Sequence, residues 1–350
     1  MLKTARLSAA CAVTMSLGLA GCAAPMEESS PNVVLTFADG FSEKHPLGAG
    51  TVQPFLKYLE EHGEAVGIEI RRLPPGTIGS TKDHLTLMRT GVVDMGQMVP
   101  SNQPTQLPLS AVADLPGISD DPCAALDALM PMMREGGILY EEEFKAMGVR
   151  PLFTMPIVGY EVVTKGKKVE SAADLEGTLL RSAGGVSDRV LKHYNAAPVN
   201  IPGSDIYEAI SRGTVTGALM APLSIPEYGL QDVVHYATDG ANLVNLTSGF
   251  GISIETWEEL TPEQQEVFDG ASLLAQTEGC QAQIDADERM DQVLVDAGVE
   301  LTEITPEQRE AWIDRLEPVH EEWLSVLESR GSPSREVYAE FQRRLKEEQS

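Results

Sequence analysis

The chain has 350 residues, with 26 Lys and Arg against 53 Asp and Glu, a formal net charge of -27 at pH 7. Phosphate binding needs a basic face, so this balance argues against nucleic acid and leaves a solvated acidic surface as the plain reading. The six histidines are scattered, and none pairs with another at metal-ligand spacing, so no metal centre is expected.

Lys3 and Arg6 precede an apolar run from Leu7 to Leu19, the pattern of a signal peptide. The run is too short to span a bilayer. It ends in Leu19-Ala20-Gly21-Cys22, which resembles the lipobox of bacterial lipoproteins; the resemblance implies that residues 1–21 are removed and that Cys22 carries lipid. Residues 22–32 then read as a flexible polar tether. The remaining body contains no second long apolar run and is large enough for two domains. Cys123 and Cys280 are the cysteines left there; they lack CxxC spacing, and in an oxidising compartment they could bridge or stay free.

From Val33 short β-like runs alternate with helical patterns, as in α/β proteins. Strands are expected at Val33–Ala38, Gly67–Leu73, Val92–Met98 and Val149–Met155. Between them fall helices at Pro54–Glu61, Lys82–Arg89 and Cys123–Ala146. A second set begins near Gly159, with strands at Tyr160–Thr164, Thr178–Arg181, Ala197–Ile201 and Val215–Met220, helices at Val186–Tyr194 and Asp205–Ser211, and a short one near Ile225. The C-terminal third is helical. Thr261-Pro262-Glu263-Gln264 and Thr305-Pro306-Glu307-Gln308 are capping boxes with Pro at the first helical position. From Pro262 to Ala297 nothing breaks the pattern, which gives a helix about 50 Å long, enough to bridge two domains. Trp312, Leu316, Val319, Trp323 and Val326 form an apolar stripe that reads as packing.

No catalytic constellation emerges. Gly184-Gly185-Val186-Ser187-Asp188 lacks the spacing of a nucleophile elbow, His320-Glu321-Glu322-Trp323 lacks a second His, and Gly48-Ala49-Gly50 lacks the third glycine of a dinucleotide loop and reads as a turn. No catalytic residue and no cofactor are expected.

Phe37 to Gly48 (FADGFSEKHPLG), Pro75 to Ser80, Gly91-Val92-Val93-Asp94-Met95, Lys168 to Arg181, Ser204 to Ala209, Gly213 to Leu219 and Thr256 to Gln264 occur in an order that resembles the substrate-binding proteins of tripartite ATP-independent periplasmic (TRAP) transporters. The resemblance runs from about Val33 to about Ala297. It implies an α/β, type II periplasmic-binding-protein-like fold. Residues 33–157 plus about 245–300 would form one domain and 158–244 the other. A long helix would cross both, and extra helices over 301–350 would pack on the body. It implies an extracytoplasmic, lipid-anchored binder that delivers a small organic acid to a small and a large membrane permease subunit. It also implies that Arg181 pairs with the substrate carboxylate, a role suited to a planar guanidinium with two parallel donors.

Where many relatives carry a second arginine this chain has Gly159-Tyr160-Glu161, and Gly203 stands where some have Phe. A monocarboxylate with an apolar or weakly polar body is therefore expected. Met155, Tyr160, Met220 and Phe250 would be walls, although the methionines serve equally as core. Gly184 would keep the backbone near the ligand, and Ser80, Ser101 and His45 would face the cleft from the first domain. Two alternatives stand beside this reading: a ligand-sensing lipoprotein of the same fold serving a receptor, and an extracytoplasmic hydrolase.

Overall fold

The structure, a computed structural model, describes residues 32–348; the expected signal peptide and Cys22 lie outside them. The chain opens with β1 (Val33–Ala38), α1 (Gln53–Gly63), β2 (Ile68–Leu73), α2 (Thr81–Arg89), β3 (Met95–Met98), α3 (Pro122–Met133) and β4 (Val149–Ile157). It continues through β5 (Glu161–Thr164), β6 (Leu179–Ser182), α4 (Val186–His193), β7 (Ala197–Asn200), α5 (Ile206–Ser211), β8 (Gly217–Met220) and β9 (Tyr236–Asp239). The last elements are β10 (Leu246–Ser253), α6 (Ile254–Glu259), α7 (Pro262–Asp296), β11 (Glu300–Glu303), α8 (Pro306–Asp314), α9 (Glu317–Glu328) and α10 (Ser334–Glu348).

Two sheets result, each the centre of a lobe. The first has the order β2-β1-β3-β10-β4 and the second β11-β9-β5-β8-β6-β7. The chain passes from the first sheet to the second between β4 and β5, and returns between β9 and β10. These two crossings are bonded to each other: Tyr160 N–H donates to Val244 O at 3.2 Å, and Leu243 N–H to Tyr160 O at 3.0 Å.

The capping box at Thr261 forms as its residues require, and α7 runs 35 residues to Asp296. It packs against α1 and β4 of the first lobe and against the 222–224 turn and β11 of the second. Cys123, at the start of α3, is disulfide-bonded to Cys280 in α7, with Cα atoms 5.1 Å apart.

Several local expectations are corrected. The helix expected over Cys123–Ala146 stops at Met133. Gly136 lies at φ 83°, a left-handed value that favours glycine, and a second short helical segment begins only at Tyr140. Val92 belongs to an exposed turn, and β3 starts at Met95. Residues 48–52 are a wide helical turn leading into α1 rather than a plain turn; a Cβ on Gly50 would come within 2.3 Å of the Ala282 Cβ on α7. The apolar stripe near the C-terminus is packing, with Trp312, Leu316, Val319 and Trp323 buried, but it spans two helices with Pro318 in the first turn of α9.

Candidate ligand-binding site

The parallel strands of both sheets aim their carboxyl ends at a common crevice, the usual ligand position in open α/β sheets. Residues following β1, β3, β6 and β8 line a cavity of about 510 Å³ between the lobes, within the ~300–1,000 Å³ typical of small-molecule sites. Arg181, in β6, lines it and is 7% exposed. Its Nε donates to Ile201 O at 2.8 Å and one terminal nitrogen to Leu219 O at 3.2 Å. These carbonyls fix the guanidinium plane without neutralising it. No carboxylate among the described residues lies within ion-pair distance of it, although the chain is strongly acidic.

The Tyr160 and Tyr228 side chains flank the guanidinium. Burial lowers the Arg181 pKa while both tyrosines act to raise it, and burial pushes the pKa of each tyrosine up. Both phenols are therefore neutral donors beside a fixed positive charge. Arg181 is the one Lys or Arg lining this cavity among the described residues. A buried, unpaired cation of this kind costs free energy until an anion enters.

On the opposite wall, Ser80 caps α2 in a capping box with Asp83, so it serves the helix and also lines the cavity. His45 lines it too. Its Nδ1 accepts from Leu47 N–H at 3.1 Å, which leaves Nε2 as the protonated nitrogen facing Ser224 Oγ at 3.1 Å; burial lowers its pKa to about 4. Tyr160 and Met220 line the cavity too.

Four expected residues stand elsewhere. Met155 lines a void of about 10 Å³ against Ala275 and Gly279 of α7. Phe250 is fully buried between Phe37 and Phe153, with ring centroids 4.9 and 5.1 Å away. Ser101 gives its hydroxyl to Asp114 at 3.0 Å and packs against Gly184, where a Cβ would come within 2.9 Å of Ser101 O. Ser101 and Gly184 thus form a close contact between the lobes, outside the cavity of about 510 Å³. Beyond it lies a larger open groove of about 670 Å³ between α4 and α9, whose Arg189 and His193 are already engaged by Glu322.

Asn102, in the loop after β3, lines the cavity as well, and sequence reasoning missed His84, Gln97, Tyr228 and Ser248, which also line it. His84 Nδ1 accepts from Gln97 N–H at 3.2 Å, and Gln97 Nε2 donates to Ser248 Oγ at 2.9 Å.

Two α/β lobes joined by a paired crossing, spanned by one long helix and enclosing a cavity with a buried lone cation, define a solute-binding protein. The chain belongs to the bacterial extracellular solute-binding protein family 7, the DctP family, whose model matches residues 37–325. It is 25% identical over 330 residues to the C4-dicarboxylate-binding periplasmic protein DctP of Rhodobacter capsulatus, covering 90% of this chain and 92% of that one. Its fold is shared by a TRAP periplasmic solute-binding protein of Bordetella bronchiseptica with bound (R)- and (S)-mandelate, at TM-score 0.79 and 23% identity over 90% of this chain and 99% of the other. It is also shared by a TRAP solute-binding protein of Rhodoferax ferrireducens in complex with benzoate, at TM-score 0.82 and 18% identity over 90% and 98% of the two chains. The resemblance carried by the motifs thus holds at the level of family. A solute-binding family works by binding and release, in keeping with the lack of catalytic motifs in the sequence.

Proposed function

We propose that this protein binds a small organic monocarboxylate between its lobes and delivers it to the small and large permease subunits of a TRAP-type secondary transporter, with Cys22 as its lipid anchor outside the cytoplasm. One observation carries the binding role: Arg181 is buried, lines the cavity, and has no carboxylate partner among the described residues. One positive group matches one negative end of a ligand. Two terminal nitrogens held at an angle set by the Ile201 and Leu219 carbonyls suit a bidentate carboxylate, and exclusion of water strengthens the pair. The mandelate and benzoate of the two structural neighbours are acids of that form.

Tyr160 connects the ligand to the movement, since its hydroxyl end lies beside Arg181 while its backbone forms the crossing ribbon. Binding then shifts an existing equilibrium between open and closed forms, and the closed form docks on the permease. The test is a thermal-shift screen of organic acids on the parent and on Arg181→Ala. Every acid that raises the parent's Tm should lose most of its effect in the variant. Unchanged affinity in the variant rejects the assignment.

A further inference from the structure

Opposite Arg181 the first lobe presents Val99, Ile157 and Leu246 together with a group of polar side chains, and no Lys or Arg among the described residues. His84, Gln97, Asn102 and Ser248 belong to that polar group. His84 is 2% exposed. Its Nδ1 is taken by the Gln97 N–H at 3.2 Å, so the proton sits on Nε2, which has no protein partner. Ser248 Oγ accepts from Gln97 Nε2 at 2.9 Å, which frees its own proton to donate. Asn102 Nδ2 is engaged with Thr81 Oγ1 at 3.0 Å, which leaves its carbonyl oxygen as an acceptor. Within one wall there are two free neutral donors, His84 Nε2 and Ser248 Oγ, and two free neutral acceptors, the Asn102 carbonyl and the buried Gln97 Oε1.

An alkyl or aryl end placed here would leave the buried His84 N–H unpaired, and that loss is larger than the gain from a made hydrogen bond. A second carboxylate would find no positive charge and would meet the Asn102 acceptor. A hydroxyl group, at once donor and acceptor, satisfies both kinds of partner. We propose that the ligand is a hydroxylated monocarboxylate, its acid end on Arg181 and its hydroxyl end read by His84, Ser248 and Asn102. This rests on the Arg181 reading and narrows the apolar or weakly polar ligand body expected from the sequence to one that carries a hydroxyl.

Isothermal titration with two matched series tests it: hexanoate, gluconate and glucarate, then benzoate, 3-hydroxybenzoate and isophthalate. In at least one series the hydroxylated monoacid should bind tenfold or more tighter than both the plain acid and the diacid. His84→Phe should bring that ratio near one, by weakening the hydroxylated acid and leaving plain-acid affinity equal or higher, since the unpaired N–H is gone. Should this variant fail to fold, Asn102→Leu, in the turn after β3, reports on the same ratio. Equal binding of plain and hydroxylated acids, a preference for the diacid, or a uniform loss across the series in the variants overturns this proposal and leaves Arg181 in place. Absence of binding by all six acids, joined to an acid screen without hits, overturns the Arg181 reading itself.

Discussion

His45 Nε2 meets Ser224 Oγ at 3.1 Å, and the two residues belong to different lobes. Beside them Ser42 of the first lobe donates to Glu227 of the second. The pair bridges the two lobes, and it needs His45 neutral with its proton on Nε2. Burial has lowered its pKa from 6.5 to about 4. In the unfolded chain His45 takes a proton near pH 6.5 while the folded chain resists it, so His45 loses its favourable contribution as pH falls from about 6.5 toward 4. The cost reaches on the order of 2 kcal/mol at pH 4.5. His84, lowered likewise to about 4, acts in the same sense, whereas Asp114 and Glu143, raised by burial to about 7, act in the opposite one. The informative quantity is therefore a difference. The Tm gap between the parent and His45→Gln should be widest at pH 7 and narrow toward pH 4.5; a gap that widens on acidification contradicts the assignment of the neutral tautomer.

Gly203 tests the site from the second lobe. A Cβ there would come within 2.6 Å of the Tyr228 hydroxyl oxygen, so the glycine creates the space that lets Tyr228 lie beside Arg181. Gly203→Ala should push the tyrosine ring aside, because the atoms met, its hydroxyl oxygen, Cζ and Cε2, all belong to one side chain and none to backbone. Affinity for acids should fall about tenfold, equivalent to ~1.4 kcal/mol, with Tm in the absence of ligand nearly unchanged. Titration of the variant with the parent's preferred acid decides the matter, and an unaltered Kd places Tyr228 outside the ligand's reach.

Much of this was legible from residues. The α7 boundaries follow from Thr261, Pro262 and an uninterrupted pattern, and Arg181 follows from its place at a strand end within a recognisable order of motifs. β10 was not legible as a strand: LTSGFGIS has two glycines and no alternation, because both its faces are covered and it pairs antiparallel with β3 and β4 only after the chain has returned from the other lobe. The same cause misplaced Met155 and Phe250. Strand periodicity says which side chains share a face, not whether that face looks at α7, at other rings or at the cavity. His84 and Gln97 reach the cavity through a hydrogen bond between α2 and β3, and no local spacing encodes that contact.

Glu161 holds the returning crossing in place. Its carboxylate accepts from Asn242 N–H at 2.9 Å, Ala241 N–H at 3.2 Å and the Thr238 hydroxyl at 2.5 Å. Burial pushes its pKa up to about 7 against the pull of these donors. A Gln at this position would turn an N–H group toward an N–H donor, so Glu161→Gln should cost about 1–3 kcal/mol in urea unfolding. The raised folded pKa means that the native group contributes most below pH 4.5, and that this contribution is lost as pH rises through about 7. The variant's deficit should therefore be larger at pH 5.5 than at pH 8. A deficit that grows with pH would show instead that the carboxylate is held ionised by its three donors.

The Cys123–Cys280 bridge spans a sequence separation of 157 residues and ties the start of α3 to α7. Because neither cysteine lines the cavity, the bridge should affect the stability of the scaffold and leave recognition alone. Closing a long loop restricts the unfolded chain, and the double variant Cys123→Ser/Cys280→Ser should lose about 2–5 kcal/mol of unfolding free energy. Reduction of the parent should reproduce the loss. The α7 contacts with α1 and β4 remain without the bridge, so the reduced protein should still fold at room temperature and bind its acid with a Kd within twofold of the oxidised form. If reduction abolishes binding at a temperature where circular dichroism shows the helices intact, the bridge does more than staple: it would then set the angle at which α7 holds the two lobes.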